Sequence, residues 1–341
     1  MPDHSVLILH NAPPADALES EKGVLAEVAA VAGALGELRI PHRIAGVAES
    51  AALAGVLAAA PEAVVFNLVE GFPGDPAAAN AVPDLCRAAG KECTGNSTAA
   101  LALALDKARA KAALQAAGLP CPGGVQILPG EAVPHGLLPR GTVILKPAAT
   151  DASEGIDEDG VLDSADSARL EAVLRRLHAQ FRQPVLVEPF IDGRELNVAA
   201  FEQAGELRVL PLAEIEFAEF APGKPRIVGY RAKWDEGSFE CRNTRRVIPA
   251  PLPEAAAARL RALVRAAWRA CGLRDYARVD FRLDAAGEPF ILEVNPNPDI
   301  APDAGFAAAL AAGGVPFREF VEMMVANARG RLATATAAAR P

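Results

Sequence analysis

Four residues near the C-terminal end have types and spacing that suit chemistry: Arg278, Asp280, Glu293 and Asn295. They lie in the segment from Tyr276, YARVDFRLDAAGEPFILEVNPNP, which reads as two strands joined by a tight turn. Side chains two apart on a strand share a face. A loop at 285–288, with Gly287 taking the unusual backbone angles, sets Asp280 opposite Glu293 and Arg278 opposite Asn295, with Leu292 and Val294 on the other face. One face then carries two carboxylates, an amide oxygen and a guanidinium, and a slip of one residue would separate them. Two readings fit. Carboxylates rarely cluster between apolar flanks without a counter-charge, and oxygen ligands of this kind suit Mg²⁺, which completes its shell with waters and substrate phosphates. The other reading is the solvated face of an ordinary hairpin, with Arg278 paired to Glu293.

Other elements must face this hairpin. Apolar stretches at 6–10, 41–45 and 63–68 alternate with helical patterns at 19–38, where Val24, Val28, Val31 and Leu35 recur, and at 49–59. Such alternation implies a parallel sheet with helices on its faces and ligands at its strand ends. The third strand runs into VEGFPGD, so Asn67 and Glu70 are either site residues or parts of a plain turn. A helix at 106–118 opens on Asp106 as its cap and stops at Gly118. Lys107 in its first turn opposes the helix dipole, so it either meets a phosphate or is simply solvated. A strand at 142–145 ends in Lys146 and Pro147 and runs into AATDASEGI, small residues that let backbone N–H groups approach an anion. No P-loop of the GxxxxGK type is present. Further patterns mark a helix at 164–178, a strand at 184–188 and a hairpin of 194–201 with 206–212 around Ala204 and Gly205. Helices follow at 254–272, 303–312 and 317–328. Residues 220–243 mix charges with few apolar runs and read as a mobile flap, and the Ala- and Thr-rich tail from Gly330 reads as fraying.

A chain of 341 residues should hold two or three domains. Its net charge of −9 argues against a general nucleic-acid or anionic-membrane partner. Cysteines 86, 93, 121, 241 and 271 form no CxxC pair, which suits isolated thiols in a reducing cytosol, and the five scattered histidines do not make a zinc site. Without a basic-then-apolar leader or a stretch long enough to span a bilayer, a soluble cytoplasmic protein is expected.

The order of these pieces resembles the ATP-grasp carboxylate–amine ligases and, within them, the D-alanine–D-alanine ligase-like group. The matching pieces are VVFNLVEG at Val64, DKARAKAALQAAGLPCP at Asp106, VILKPA at Val143, VLVEPFIDGRELNV at Val185, YRAKW at Tyr230 and ARVDFRL with FILEVNPNP near the end. They run through most of the chain, leaving 1–46 and the tail with little of the match. The resemblance implies an α/β chain of α+β ATP-grasp type. A parallel N-terminal domain at 1–98 would precede two subdomains, 99–187 and 188–330, that clasp the nucleotide, with a flexible tail at 331–341. It implies ATP and two Mg²⁺ ions, with Mn²⁺ as a substitute, held by Asp280, Glu293 and Asn295. Lys107 and Lys146 would touch the phosphates and Lys233 would close onto them from the flap. Glu188, Phe190 and Ile191 would lie on the adenine, Glu195 would take the ribose, and the loop 151–155, with Ser153, would be the lid. The implied reaction phosphorylates a carboxylate, and an amine then attacks the acyl phosphate while Arg278 stabilises the oxyanion. A homodimer is implied as well.

The substrate-facing positions depart from true D-alanine–D-alanine ligases. Ala152 stands where the family's lid is rich in Ser, Glu70 where it has a His, and Ala304 where it has a Ser. Trp234 follows Lys233 where a Tyr is usual, and the N-terminal Ser/Glu signature is not recognisable, with Glu19 or Glu21 as stand-ins. Together with Arg278 and Asp299, positions 70, 152 and 304 are expected to read the substrates. The expectation is an amide-forming ligase acting on other amino acids or small carboxylates, Glu70 suiting an amine-bearing partner. A true D-alanine–D-alanine ligase, a non-catalytic ATP-binding homologue and a kinase on the same fold are the alternatives.

Overall fold

Runs of buried apolar residues build the first sheet, from β1 (Val6–Asn11), β2 (His42–Val47), β3 (Val64–Leu68) and β4 (Glu92–Cys93). All pair in parallel in the order β2-β1-β3-β4, as strand–helix alternation requires. Val6 and Ile8 pack on one side against Val24, Val31 and Leu35 of the helix Glu19–Glu37, and Leu7 and Leu9 pack on the other against Leu53 and Leu57. The computed structural model describes residues 4–14, 19–72, 75–150 and 153–338. Asp151, Ala152 and the side chains of Glu19 and Glu21 lie outside the described residues.

The second sheet is antiparallel: β5 (Val125–Ile127), β6 (Thr142–Pro147), β7 (Val161–Asp163) and β8 (Val185–Pro189), in the order β5-β8-β6-β7. The helix Ser167–Phe181 lays Leu170, Val173, Leu174 and Leu177 on it. The third sheet is the largest, with β9 (Arg194–Gln203), β10 (Glu206–Val209), β11 (Ala213–Phe217), β12 (Thr244–Val247), β13 (Tyr276–Leu283) and β14 (Pro289–Asn295). Its order is β12-β11-β9-β13-β14, with β10 paired to β9. One face packs Leu196, Val198, Val279 and Phe281 under Leu260, Val264 and Trp268 of the helix Glu254–Ala270. The other face carries the polar residues of the hairpin.

Two regions differ from expectation. Residues 220–243 hold two short helices, Tyr230–Trp234 and Phe239–Asn243, over a cluster in which the rings of Phe217 and Phe239 each lie 5.3 Å from that of Phe220. Contacts among aromatics that are irregularly spaced in sequence leave no periodic signal, which is why this stretch reads as core-less. The last helix, Phe317–Ala338, runs past Gly330 instead of fraying there. Arg331 pins it, donating from Nη1 and Nη2 to the two carboxylate oxygens of the fully buried Asp275 at 2.7 and 2.9 Å and to Cys93 O at 2.8 Å.

Candidate active site

The hairpin pairs Arg278 with Asn295 and Asp280 with Glu293, as the spacing predicts, but by a different route. From the turn outward Leu283 pairs with Pro289 and Phe281 with Ile291, and a bulge at Leu292 then shifts the register by one. Without that extra residue Glu293 would share a face with Ile291, which is fully buried in the core. The bulge keeps Ile291 and Val294 inward and turns Glu293 into the cleft, so Leu292 is not the inward residue that strict alternation implies.

Arg278 grips Asp280 through Nε and Nη2 at 2.8 and 2.9 Å, not Glu293 as the solvated-hairpin reading has it. Asn197, opposite Asp280 on β9, adds a hydrogen bond to Asp280 Oδ1 at 2.8 Å. Burial pushes the Asp280 carboxyl up, against Arg278. Burial works against the charge of Glu293 too, but Lys107, Lys233, Arg278 and Lys146 outweigh it and hold that carboxyl at about 2. Lys233 keeps contact with solvent in the open cleft, yet the cleft walls desolvate it and Arg278 repels it, so its ammonium pKa is lowered.

Lys107 is 7 % exposed and hydrogen-bonded to Thr150 O, which rules out the solvated reading. Asp106 caps its helix by accepting from the N–H groups of Ala108 and Arg109. Lys111, one turn further on, was not anticipated, although two lysines four apart share a helix face. Its Nζ lies 2.9 Å from Glu188 Oε2, while Lys146 binds Glu188 Oε1. Burial disfavours the Glu188 carboxylate, but the two lysines outweigh it and lower its pKa. Arg282, also unanticipated, lies under the segment expected to meet adenine. It binds Glu195 Oε2 at 2.7 Å, donates to Ile191 O at 3.2 Å and has its guanidinium 5.5 Å from the Phe190 ring centre.

The lid is stitched to the flap. Ser153 sits at φ +62°, and its Oγ donates to Val228 O at 2.9 Å. Tyr230 N donates to Ile156 O, which approaches Gly229 so closely that a Cβ there would lie 2.5 Å away. Lys224 in the flap binds Glu158 and Glu240.

At the far end of the cleft Glu27, Glu70 and Asp299 come together: burial, then Glu70 and Asp299, raise the Glu27 carboxyl well above its ordinary range. Glu27 Oε1 accepts from Ile300 N at 2.7 Å. This residue, one or two turns beyond Glu19 and Glu21, was missed because a Glu at a core-facing helical position gives no cue of its partners. Asn67 shapes the loop by accepting from Val69 N at 3.2 Å and is 5 % exposed, so it supports Glu70 without lining the cleft. Ala304 precedes the helix Gly305–Ala312 in extended conformation and provides no side-chain cap.

Two carboxylates and an amide oxygen are hard donors that fit Mg²⁺ with phosphates and waters completing its shell. Among the described residues no group of three or more His, Cys, Asp or Glu is placed to hold a metal alone. No helix among them is long and apolar enough to cross a membrane.

A family model, the D-ala D-ala ligase C-terminus, matches residues 140–326. A D-alanine–D-alanine ligase of Caulobacter sp. is 31% identical over 96% of this chain and 95% of its own length. An uncharacterized protein of Sinorhizobium fredii, y4sG, is 33% identical over 73% of this chain and 70% of its own. The crystal structure of D-alanine–D-alanine ligase from Bacillus anthracis complexed with ATP superposes with a TM-score of 0.75 at 15% identity, covering 98% of this chain and 99% of that one.

Proposed function

The chain belongs to the D-alanine–D-alanine ligase family and is an ATP-dependent enzyme that forms C–N bonds, and from that premise we propose that it joins a carboxylate to an amine-bearing substrate through an acyl phosphate. The observation that carries the reading is the convergence on Glu293 of Asp280 across the hairpin and of Lys107, Lys146, Lys233 and Arg278 around it.

ATP would lie between the second and third sheets. Glu188, held between Lys146 and Lys111, would lie beside the adenine, and Phe190 and Ile191 would provide the apolar and backbone surface. Arg282 occupies Oε2 of Glu195 and so orients its carboxylate for the ribose hydroxyls. Lys107, Lys146 and Lys233 would hold the phosphates, and the lid at 151–155, with Ser153 and Ala152, would exclude water that destroys an acyl phosphate. Bound Mg²⁺, held by Asp280, Glu293 and Asn295, would neutralise charge on the phosphoryl oxygens. Arg278, fixed by Asp280, would stabilise the oxyanion formed when the amine attacks, and one such donor is worth about 3–4 kcal/mol. Glu70 and Asp299, beside Glu27, suit the amine, and Ala304 would lie at the same end. The boundaries 1–98, 99–187 and 188–330, the cytoplasm as setting and a homodimer belong to this reading.

The match over nearly the whole Caulobacter enzyme favours a second reading, D-alanine as both substrates. The test is a matrix of amino acids and small carboxylates scored for ADP release and product mass, with D-alanine alone as one arm. Amide product with ADP supports the ligase, and saturable turnover of D-alanine alone supports the second reading. A phosphorylated product without amide, or Mg–ATP binding with no ADP from any pair, would sink it. Glu293→Gln is expected to abolish turnover.

A further inference from the structure

The third sheet carries one more cation on its cleft face. Across that sheet Arg282 pairs with Glu195, Glu195 with Ile215, and Ile215 with Arg246. Residues in one transverse row share a face, so Arg246 on the edge strand β12 stands on the face of Glu195 and Arg282, and hence of Asp280 and Arg278. The chain leaving β14 at the other edge returns across this face to meet it. Arg246 Nη1 donates to Asp303 O at 3.3 Å. A Cβ built on Gly305 would lie 3.4 Å from Arg246 Nε and 3.6 Å from Nη2. The guanidinium therefore rests against the start of the helix Gly305–Ala312.

Its charge balance is unlike that of its neighbours. Arg278 and Arg282 each end on a carboxylate, Asp280 and Glu195. Among the described residues no carboxylate ion-pairs with Arg246; its polar contact is a neutral carbonyl, and it is exposed to solvent. Partial desolvation by the surrounding protein and then Arg278 lower its pKa, while Asp303 and Asp299 pull it up. Two guanidiniums facing one cleft repel each other, and an anion between them removes that cost. Arg246 rests on Asp303 O and against Gly305, in the segment that follows Asp299, so an anion held by it lies on that side of the cleft.

We propose that Arg246 anchors a carboxylate of the amine-bearing substrate, one that is retained in the product, which makes that substrate an amino acid and not a simple amine. The proposal rests on the ligase reading and deepens it. The planar fork of Arg matches a carboxylate with two parallel hydrogen bonds. Ala304, beside it, offers no hydroxyl for the task, so recognition falls to the guanidinium.

The test titrates the protein saturated with Mg–ADP with a panel of L- and D-amino acids, and with the carboxamide of each that binds. Wild type, Arg246→Ala and Arg246→Lys are compared by calorimetry. Wild type is expected to bind at least one amino acid and to bind its amide about 10- to 100-fold more weakly. Arg246→Ala should lose a similar factor for the acid while its affinities for the amide and Mg–ADP stay unchanged, and Arg246→Lys should recover part. The proposal is overturned if the wild type binds amide and acid equally, if Arg246→Ala keeps its affinity for the acid, or if no amino acid binds the wild type. Amino acids that bind through Arg246 without ADP release from any pair would refute the ligase reading and leave the anchor standing.

Discussion

Replacing Glu188 with Gln preserves shape and removes one charge, and it should be among the costliest single changes in this chain. Glu188 is 1 % exposed, and its two oxygens meet Lys146 and Lys111, both buried. The substitution strands two ammonium groups against each other in a pocket from which water is largely excluded. At an effective dielectric of about 20, each pair at this spacing attracts by roughly 5 kcal/mol before desolvation is subtracted. Breaking such a buried arrangement from one side costs about 3–5 kcal/mol, a fall in Tm of roughly 4–7 °C for a chain of this length. Urea denaturation followed by circular dichroism measures it, and the double variant Glu188→Gln with Lys111→Met should recover part of the loss because one stranded cation is gone. The pH dependence supplies a sign. Burial already lowers the Lys111 pKa against the pull of Glu188, so removing that carboxylate lowers it further. A lysine whose folded pKa lies below its unfolded value makes stability rise with pH between the two values. The deficit of Glu188→Gln should therefore shrink from pH 7 towards pH 10. A cost below about 1 kcal/mol, or a deficit that ignores pH, would refute the reasoning.

Two further outcomes follow from other buried charges. Arg331→Ala leaves Asp275 buried without its bidentate partner, so a loss of about 3–5 kcal/mol is expected by denaturant titration; a neutral result would return the last helix to a fraying tail. Glu293, held at about 2 against an ordinary 4.5, contributes stability that is complete above the unfolded value and is lost as pH falls towards 2. The stability gap between wild type and Glu293→Gln, measured without metal, should close across that window, and a gap that stays constant would contradict the low value.

Much of the site was legible because strand pairing has a short period. Arg278, Asp280, Glu293 and Asn295 announce a shared face from spacing alone, and Asp106, Gly118 and the turn at Ala204 and Gly205 mark their elements through local backbone chemistry. The bulge at Leu292 was not legible: the same pairing of the functional residues arises from an unbroken ladder on a shifted turn, and only the packing of Ile291 against the core tells the two apart. Lys111, Arg282 and Glu27 were missed for a related reason. Each is a charged side chain whose meaning is its partner, and those partners lie 77, 87 and 273 residues away in Glu188, Glu195 and Ile300.

The sequence by itself determined the parallel first sheet, the capped helices, the carboxylate pair and the family, because these depend on periodicity and on motifs that keep their order along the chain. Tertiary structure decided which charges are neutralised. It closed Arg278 onto Asp280, set Glu188 between two lysines, tied the last helix down through Asp275 and left Arg246 facing the cleft with a neutral carbonyl. Burial and the nearest opposite charge fix the state of an ionisable group, and both are properties of packing between segments far apart in the chain.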